Sequence, residues 1–339
     1  MKPFAERVLA WFERHGRREL PWQRDRDPYR ILIAELMLQQ TQVATAIPYY
    51  ERFLATFPDL DRLAEAREEE VLALWSGLGY YRRAHQLLAT ARLIRERHGG
   101  VIPRSRAALE ALPGIGRSTA AAILAQAFGA REAILDGNVK RVLARHAGIE
   151  GWPGAPAVAK KLWARAEECL PSQRLAEYTQ GLMDLGAMVC KPRNPLCGEC
   201  PLAEDCRALA LNATHRIPAP KPIRTRPERR LVFLIEHDPT LRVRLVRRPP
   251  LGIWPGLYCL PECPADAGER PLPGFRHDFT HFRLLAEIRA QAANERRLGD
   301  GDERWIDRAD LPGIALPAPI QSRLERFWEE REWLEPSSA

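Results

Sequence analysis

Two groups of residues in this chain are of the right type and spacing to do chemistry. The first is Cys190, Cys197, Cys200 and Cys206, arranged C-x6-C-x2-C-x5-C. Four thiolates in so short a window suit tetrahedral Zn²⁺. With Pro195 and Pro201 beside the cysteines, the window suits a cuboidal iron–sulfur cluster equally well. The other cysteines, Cys169, Cys259 and Cys263, show no metal spacing. The second group is a pair of carboxylates. Glu35 stands alone in the apolar octet Ile31–Leu38, where an unpaired charge is costly to bury. Burial raises a carboxyl pKa and suits the group to general-acid work. Asp136 lies between the apolar pair Ile134-Leu135 and a helix-like segment, a place for an N-cap or for a second carboxylate. Between the two carboxylates, Leu112-Pro113-Gly114-Ile115-Gly116-Arg117-Ser118-Thr119 joins two helical stretches. Glycines in such a turn leave backbone N–H groups uncovered at a helix N-terminus, where phosphate is favoured. A turn of that kind grips a nucleic-acid backbone without reading sequence.

Apolar positions recur at helical spacing in Glu6–Glu13, Ile31–Leu38, Glu69–Trp75, Ala84–Ile94 and Thr119–Phe128, with Gly and Pro between them. Residues 1–211 are therefore expected to form an all-α domain that contains the cysteine loop 190–206. Residues 212–230 hold Pro218, Pro220, Pro222 and Pro227 among basic side chains, which predicts an extended linker. Beyond it, Leu231–Ile235, Leu241–Val246 and Phe282–Ala290 are expected strands and Ile320–Glu332 a closing helix. Residues 231–339 are thus a smaller α+β domain. The length of 339 residues fits two domains. A composition of 45% hydrophobic and 28% charged residues excludes wholesale disorder. No apolar run approaches the ~20 residues that span a bilayer, and Met1–Arg7 has no signal-peptide core. A soluble, cytoplasmic protein is expected, which argues against disulfides. The net charge of +7 points to a polyanionic partner. Residues 231–339 do not share it, since acidic side chains outnumber basic ones there.

Taken together, these motifs resemble the helix-hairpin-helix DNA glycosylase superfamily and, within it, the adenine DNA glycosylases of the MutY type. The resembling stretches are Glu35–Val43, Gly77-Leu78-Gly79-Tyr80-Tyr81, Leu112–Thr119, Leu135–Val142, Met183-Asp184-Leu185-Gly186-Ala187 and the cysteine loop. The resemblance implies a [4Fe–4S] cluster on the four cysteines, where spacing alone left zinc open. It also implies a glycosylase that removes adenine mispaired with 8-oxoguanine or guanine in duplex DNA, in base excision repair. The target base must be flipped out of the stack for this chemistry. Carried over, Glu35 protonates the departing adenine and Asp136 stabilises the oxocarbenium-like sugar. Gln40 and Tyr80 wedge beside the lesion pair. Gly114, Gly116, Ser118 and Asn138 belong to the DNA-gripping elements, and Arg18, Trp22 and Gln180 to the adenine pocket.

Endonuclease III-like relatives carry a nucleophilic lysine where this chain has Ser118, so a monofunctional enzyme without β-lyase chemistry is expected. Lys140 is the one amine near Asp136 in the sequence. The tail resembles the family's Nudix-like domain at Gly252–Tyr258 and His277–Phe282 but lacks the metal-binding Nudix box after Gly256. Phe279-Thr280-His281 corresponds to the family's Phe-Ser-His lesion-reading loop. Thr keeps the hydroxyl while restricting its rotamers. The expected partner is damaged double-stranded DNA, bound by a monomer with no role for a membrane. The expected location is the cytoplasm, on the nucleoid if the source is bacterial.

Overall fold

The computed structural model describes residues 2–222, 225–264, 267–268, 270–293 and 302–329. The chain divides into two compact units, Met1–Glu65 with Gln86–Ile223 and Ala66–His85 with Arg224–Ala339.

Among its described residues the first unit is helical throughout. Its central helix, Pro28–Leu38, starts with the Asp27 side chain accepting from the Arg30 N–H and with proline at the first position. Tyr29, Ile31, Leu32, Ile33, Ala34, Leu36 and Met37 are all buried, so Glu35 is the single acidic side chain on a helix almost wholly inside the unit. That helix packs against Val43–Thr56 and Arg117–Phe128. A second group forms around Leu175–Met188, which packs on Phe4–His15, Arg117–Phe128 and Gly137–Ala147. Glycine makes the last approach possible: a Cβ at Gly186 would collide with Asn138 of the neighbouring helix. Val8, Phe12, Leu135, Val139, Leu143, Tyr178, Leu182 and Leu185 fill the core between these helices.

The connector differs from the sequence expectation at both ends. Ala213 and Ile217 are buried in the helical core, and Arg145 Nε donates to the Ile217 carbonyl at 2.8 Å. At its other end, Glu228 already opens a strand. The prolines prevent helix, but the apolar residues among them still find a core. Segment 66–85 also departs from the expected boundary, because it packs with the C-terminal part of the chain. Arg247 pairs with Glu68 at 3.2 Å and with Glu69 at 3.4 Å, and the Tyr81 hydroxyl donates to the Leu316 carbonyl at 2.8 Å.

The second unit is built on a sheet of β1 Glu228–His237, β2 Val243–Arg247, β3 Tyr258–Cys259, β4 Glu262–Cys263, β5 Arg270–Asp278, β6 Arg283–Ala292 and β7 Glu303–Ile306. The order is β3-β2-β1-β6-β5, with β4 on β1 and β7 on β2. β1 and β6 run parallel from Glu228↔Arg283 to His237↔Ala292, and the other pairs are antiparallel. The closing helix, Ala318–Glu329, buries Ile320, Leu324 and Phe327; residues 330–332 of the expected helix lie outside the described residues. Among the described residues no helix is long and apolar enough to cross a membrane.

Candidate functional site

Both carboxylates lie in the first unit, close enough for the charge of Asp136 to act on Glu35. Glu35 keeps partial exposure, yet the packed helices around it strip its carboxyl of water and push it up to about 7. The Gln126 amide opposes this by donating to Oε1 at 2.6 Å, and the negative field of Asp136 adds to the rise. Asp136 is the N-cap of Gly137–Ala147, and its Oδ1 accepts from the Val139 N–H at 2.7 Å. Burial leaves its pKa above the usual aspartate value as well, although the Val139 and Asn138 N–H groups and the Arg141 and Lys140 cations offset part of that rise. One carboxyl therefore has a single amide donor, and the other has two backbone donors and two nearby cations. A site so divided can hold a proton on the first and a negative charge on the second.

Next to Glu35, on the far side of Gln126, opens a cleft of about 220 Å³ lined by Arg18, Trp22, Gln23, Gln126, Glu177 and Gln180 among others. Trp22 does two jobs: it lines the cleft and packs edge-on against Tyr50 at 5.3 Å. Gln180 is buried, and its Nε2 donates to Asp184 at 2.7 Å. Asp184, with no exposed surface, also accepts from Arg17 through the backbone N–H at 2.7 Å and the guanidinium at 2.6 Å. Asp184 and Gln126 are functional residues that no expectation from the sequence covers. A lone Asp in Gly181–Met188 and a lone Gln in Ala120–Phe128 were the available signals.

The Gly-rich turn joins Arg106–Glu110 to Arg117–Phe128 as expected. Gly114 has φ +78°, a conformation that side-chain-bearing residues rarely adopt. Gly116 is the N-cap of the second helix and provides no side-chain cap, so the first-turn N–H groups stay available to an anion. Gln39 Nε2 donates to the Gly114 carbonyl at 3.1 Å and holds the turn against the Glu35 helix. Ser118 Oγ accepts from the Leu135 N–H at 2.9 Å, tying the turn to the residue before Asp136. Asn138 Oδ1 accepts from Arg141 at 2.9 Å, and Arg141 Nε donates to the Cys190 carbonyl at 2.6 Å.

Gln40 in the first unit and Tyr80 in the second each hold a left-handed backbone, φ +58° and +52°, and both are exposed. Arg26, Arg174, Asn194, Asn212, Leu241 and Trp254 share that uncommon region, so the backbone alone does not single these two out. Tyr80 is 52% exposed and lies over the Arg83 guanidinium at 5.5 Å.

Cys190, Cys197, Cys200 and Cys206 are all unpaired and line one pocket with Val142, Arg145 and Leu202. Tight turns at Cys197–Glu199 and Ala203–Asp205 wrap the chain around it. Among the described residues no three His, Cys, Asp or Glu side chains are placed to hold a single metal ion. Four thiolates lining one pocket are the donor set that an iron–sulfur cluster takes. Arg145 adds a donor 3.5 Å from Cys190 Sγ.

In the second unit, Phe279–Phe282 is the turn of the β5–β6 hairpin, closed by the Phe279 N–H donating to the Phe282 carbonyl at 2.9 Å. Thr280 and His281 are the exposed tip. Phe279 stacks on Phe282 at 4.7 Å and contacts Trp254 at 5.6 Å and His277 at 4.6 Å. An aromatic base thus holds two polar side chains out in solvent.

Both units resemble known proteins. Residues 33–168 match the HhH-GPD superfamily of base excision DNA repair proteins, 231–326 a NUDIX domain, and 190–206 the iron–sulfur binding domain of endonuclease III. The adenine DNA glycosylase of Buchnera aphidicola (Schizaphis graminum) is 34% identical, covering 96% of this chain and 98% of that protein. The adenine DNA glycosylase of Mus musculus is 43% identical, covering 97% of this chain and 78% of that one. A solved thermostable thymine-DNA glycosylase aligns with a TM-score of 0.56 at 31% identity over 61% of this chain and 95% of its own. With its helical glycosylase domain, [4Fe–4S] loop and Nudix-like sheet domain, the chain belongs to the adenine DNA glycosylases.

Proposed function

We propose that the enzyme hydrolyses the N-glycosidic bond of adenine paired with 8-oxoguanine, or less readily with guanine, in duplex DNA. The observation that carries this reading is Glu35, a carboxyl held up to about 7 within reach of the Asp136 field and hydrogen-bonded to Gln126, which lines a cleft of about 220 Å³. Adenine is flipped into the cleft lined by Arg18, Trp22 and Gln180. Glu35 gives its proton to a ring nitrogen, which weakens the bond to C1′. Asp136 keeps its charge beside the developing sugar cation. Water then adds to C1′ and gives up a proton to the Glu35 carboxylate, leaving free adenine and an abasic site. Gln40 and Tyr80 fill the space left in the stack. The turn Gly114–Ser118, with Asn138, fixes the phosphate backbone. Ser118 has no amine and its oxygen already accepts from Leu135, so the strand is not nicked through that position.

Cys190, Cys197, Cys200 and Cys206 hold the cluster, which orders the loop from 190 to 206. Phe279, Thr280 and His281 read the opposite 8-oxoguanine, which differs from guanine in its O8 and N7–H. Domain 231–339 supplies that reader, with segment 66–85 packed on it, and domain 1–211 supplies the chemistry. The enzyme works as a monomer in the cytoplasm. Single-turnover excision on duplexes with A opposite 8-oxoguanine, A opposite G, T opposite G and thymine glycol tests the assignment. Fastest release from the first and slower release from the second are expected. Faster release of thymine from T opposite G, or of thymine glycol, would overturn it.

A further inference from the structure

We propose that Gln126 is the positioning residue of the acid: its amide commits one oxygen of Glu35 as an acceptor and so leaves the proton to the other oxygen. The inference rests on the reading of Glu35 as the proton donor. Gln126 lies on Arg117–Phe128, in the run Ala120–Phe128, where every other residue is apolar. Only 5% of it is exposed, and a buried amide needs partners. Its Nε2 donates to Glu35 Oε1 at 2.6 Å. An amide nitrogen cannot accept, so with Nε2 facing it Oε1 is the acceptor. A protonated Glu35 therefore carries its hydrogen on Oε2. Gln126 also lines the cleft with Trp22 and Gln180, so the residue that orients the acid borders the space where the base must sit.

The contact has a second consequence. A donor to a carboxylate favours the charged form, whereas burial and the Asp136 charge disfavour it. On the elements packed against the Glu35 helix, charged side chains include Arg117 on Arg117–Phe128 and Glu51 and Arg52 on Val43–Thr56, with Arg30 on the helix itself. Asp136 is the one whose field moves Glu35. Gln126 thus balances Asp136 and burial, keeping the acid close to neutral pH instead of above it.

The test is the pH dependence of single-turnover adenine excision by the full-length, cluster-loaded enzyme, in wild type, Gln126→Leu and Gln126→Glu. Excision needs Glu35 protonated, so the rate falls as pH rises through its pKa. Removing the donor in Gln126→Leu raises that pKa and moves the basic limb up by about one pH unit. Its low-pH plateau falls by about tenfold as the proton loses its fixed place. Gln126→Glu keeps the shape but pairs two carboxyls, and moves the limb further in the same direction. A merely structural role would lower the melting temperature and the rate at all pH values alike. A basic limb unmoved in both variants overturns the proposal. Glu35→Gln, assayed alongside, separates the two ideas: if it excises adenine at the wild-type rate, the underlying reading of Glu35 fails instead.

Discussion

The surroundings of Glu35 and those of Thr280–His281 are opposites. Glu35 lies on a helix buried almost all round, and its free energy of ionisation is set by the protein: packing, Gln126 and Asp136. Thr280 and His281 stand in solvent on a two-residue turn, held out by a base of Phe279, Phe282, Trp254 and His277. An acid that must hold a proton near neutral pH needs low hydration and few donors. A reader must keep its donors and acceptors uncommitted until a base edge arrives. The same chain thus uses burial to tune chemistry and exposure to keep recognition open. Each region can be broken without touching the other.

The largest break is in the cysteine loop. Replacing any one of Cys190, Cys197, Cys200 or Cys206 by Ala is expected to lower iron content well below the value of about four per chain and to cut the yield of folded protein. Iron analysis and the visible absorbance band check this, and stoichiometric zinc without iron after anaerobic purification would contradict it. Next comes Glu35→Gln, which keeps shape and DNA binding but removes the proton. Single-turnover excision should fall by about 10³-fold or more, with the affinity for a mispaired duplex retained. Asp136→Asn keeps an N-cap acceptor and loses the charge, so a fall of about 10²–10³-fold is expected in the same assay.

Glu35 also carries a stability signature. Its carboxyl rises from 4.5 in the unfolded chain to about 7 in the fold. The folded state therefore binds the extra proton, and stability falls as pH climbs from about 4.5 through about 7. Glu35→Gln should relieve this and be more stable than wild type at pH 8, by about 3 kcal/mol, with little difference at pH 4. Denaturant titrations at both pH values measure it. An equal difference at the two pH values would mean that the group is not held protonated by its surroundings.

Much of this was legible in the sequence, and the rest was hidden for a physical reason. The cysteine loop, the Gly-rich turn and the lone Glu35 are local patterns, and the fold keeps them where spacing put them. Long-range contacts left no such mark. Gln126 meets Glu35 across 91 positions. Arg17 meets Asp184 across 167, so neither pair has a spacing to read. Segment 66–85 looks like one more helical stretch, and long-range contacts such as those with Arg247, Arg304 and Leu316 assign it to the second unit. Strand β5 was missed because Pro271, Pro273 and Gly274 speak against a strand. It is an edge strand with a register shift between Leu272 and Phe275, where proline is tolerated and a Cβ at Gly274 would strike the Ala286 carbonyl.

The smallest expected effect is the one that tests the division of labour most directly. It is measured as the ratio of single-turnover excision rates for A opposite 8-oxoguanine over A opposite G, in wild type and in the Thr280→Ala, His281→Ala double variant. Base-edge contacts are worth roughly 1–3 kcal/mol each. The account predicts a ratio at least about tenfold lower in the variant, with excision of A opposite G unchanged because Glu35 and Asp136 are untouched. A ratio equal to wild type, or an equal loss on both duplexes, would contradict it.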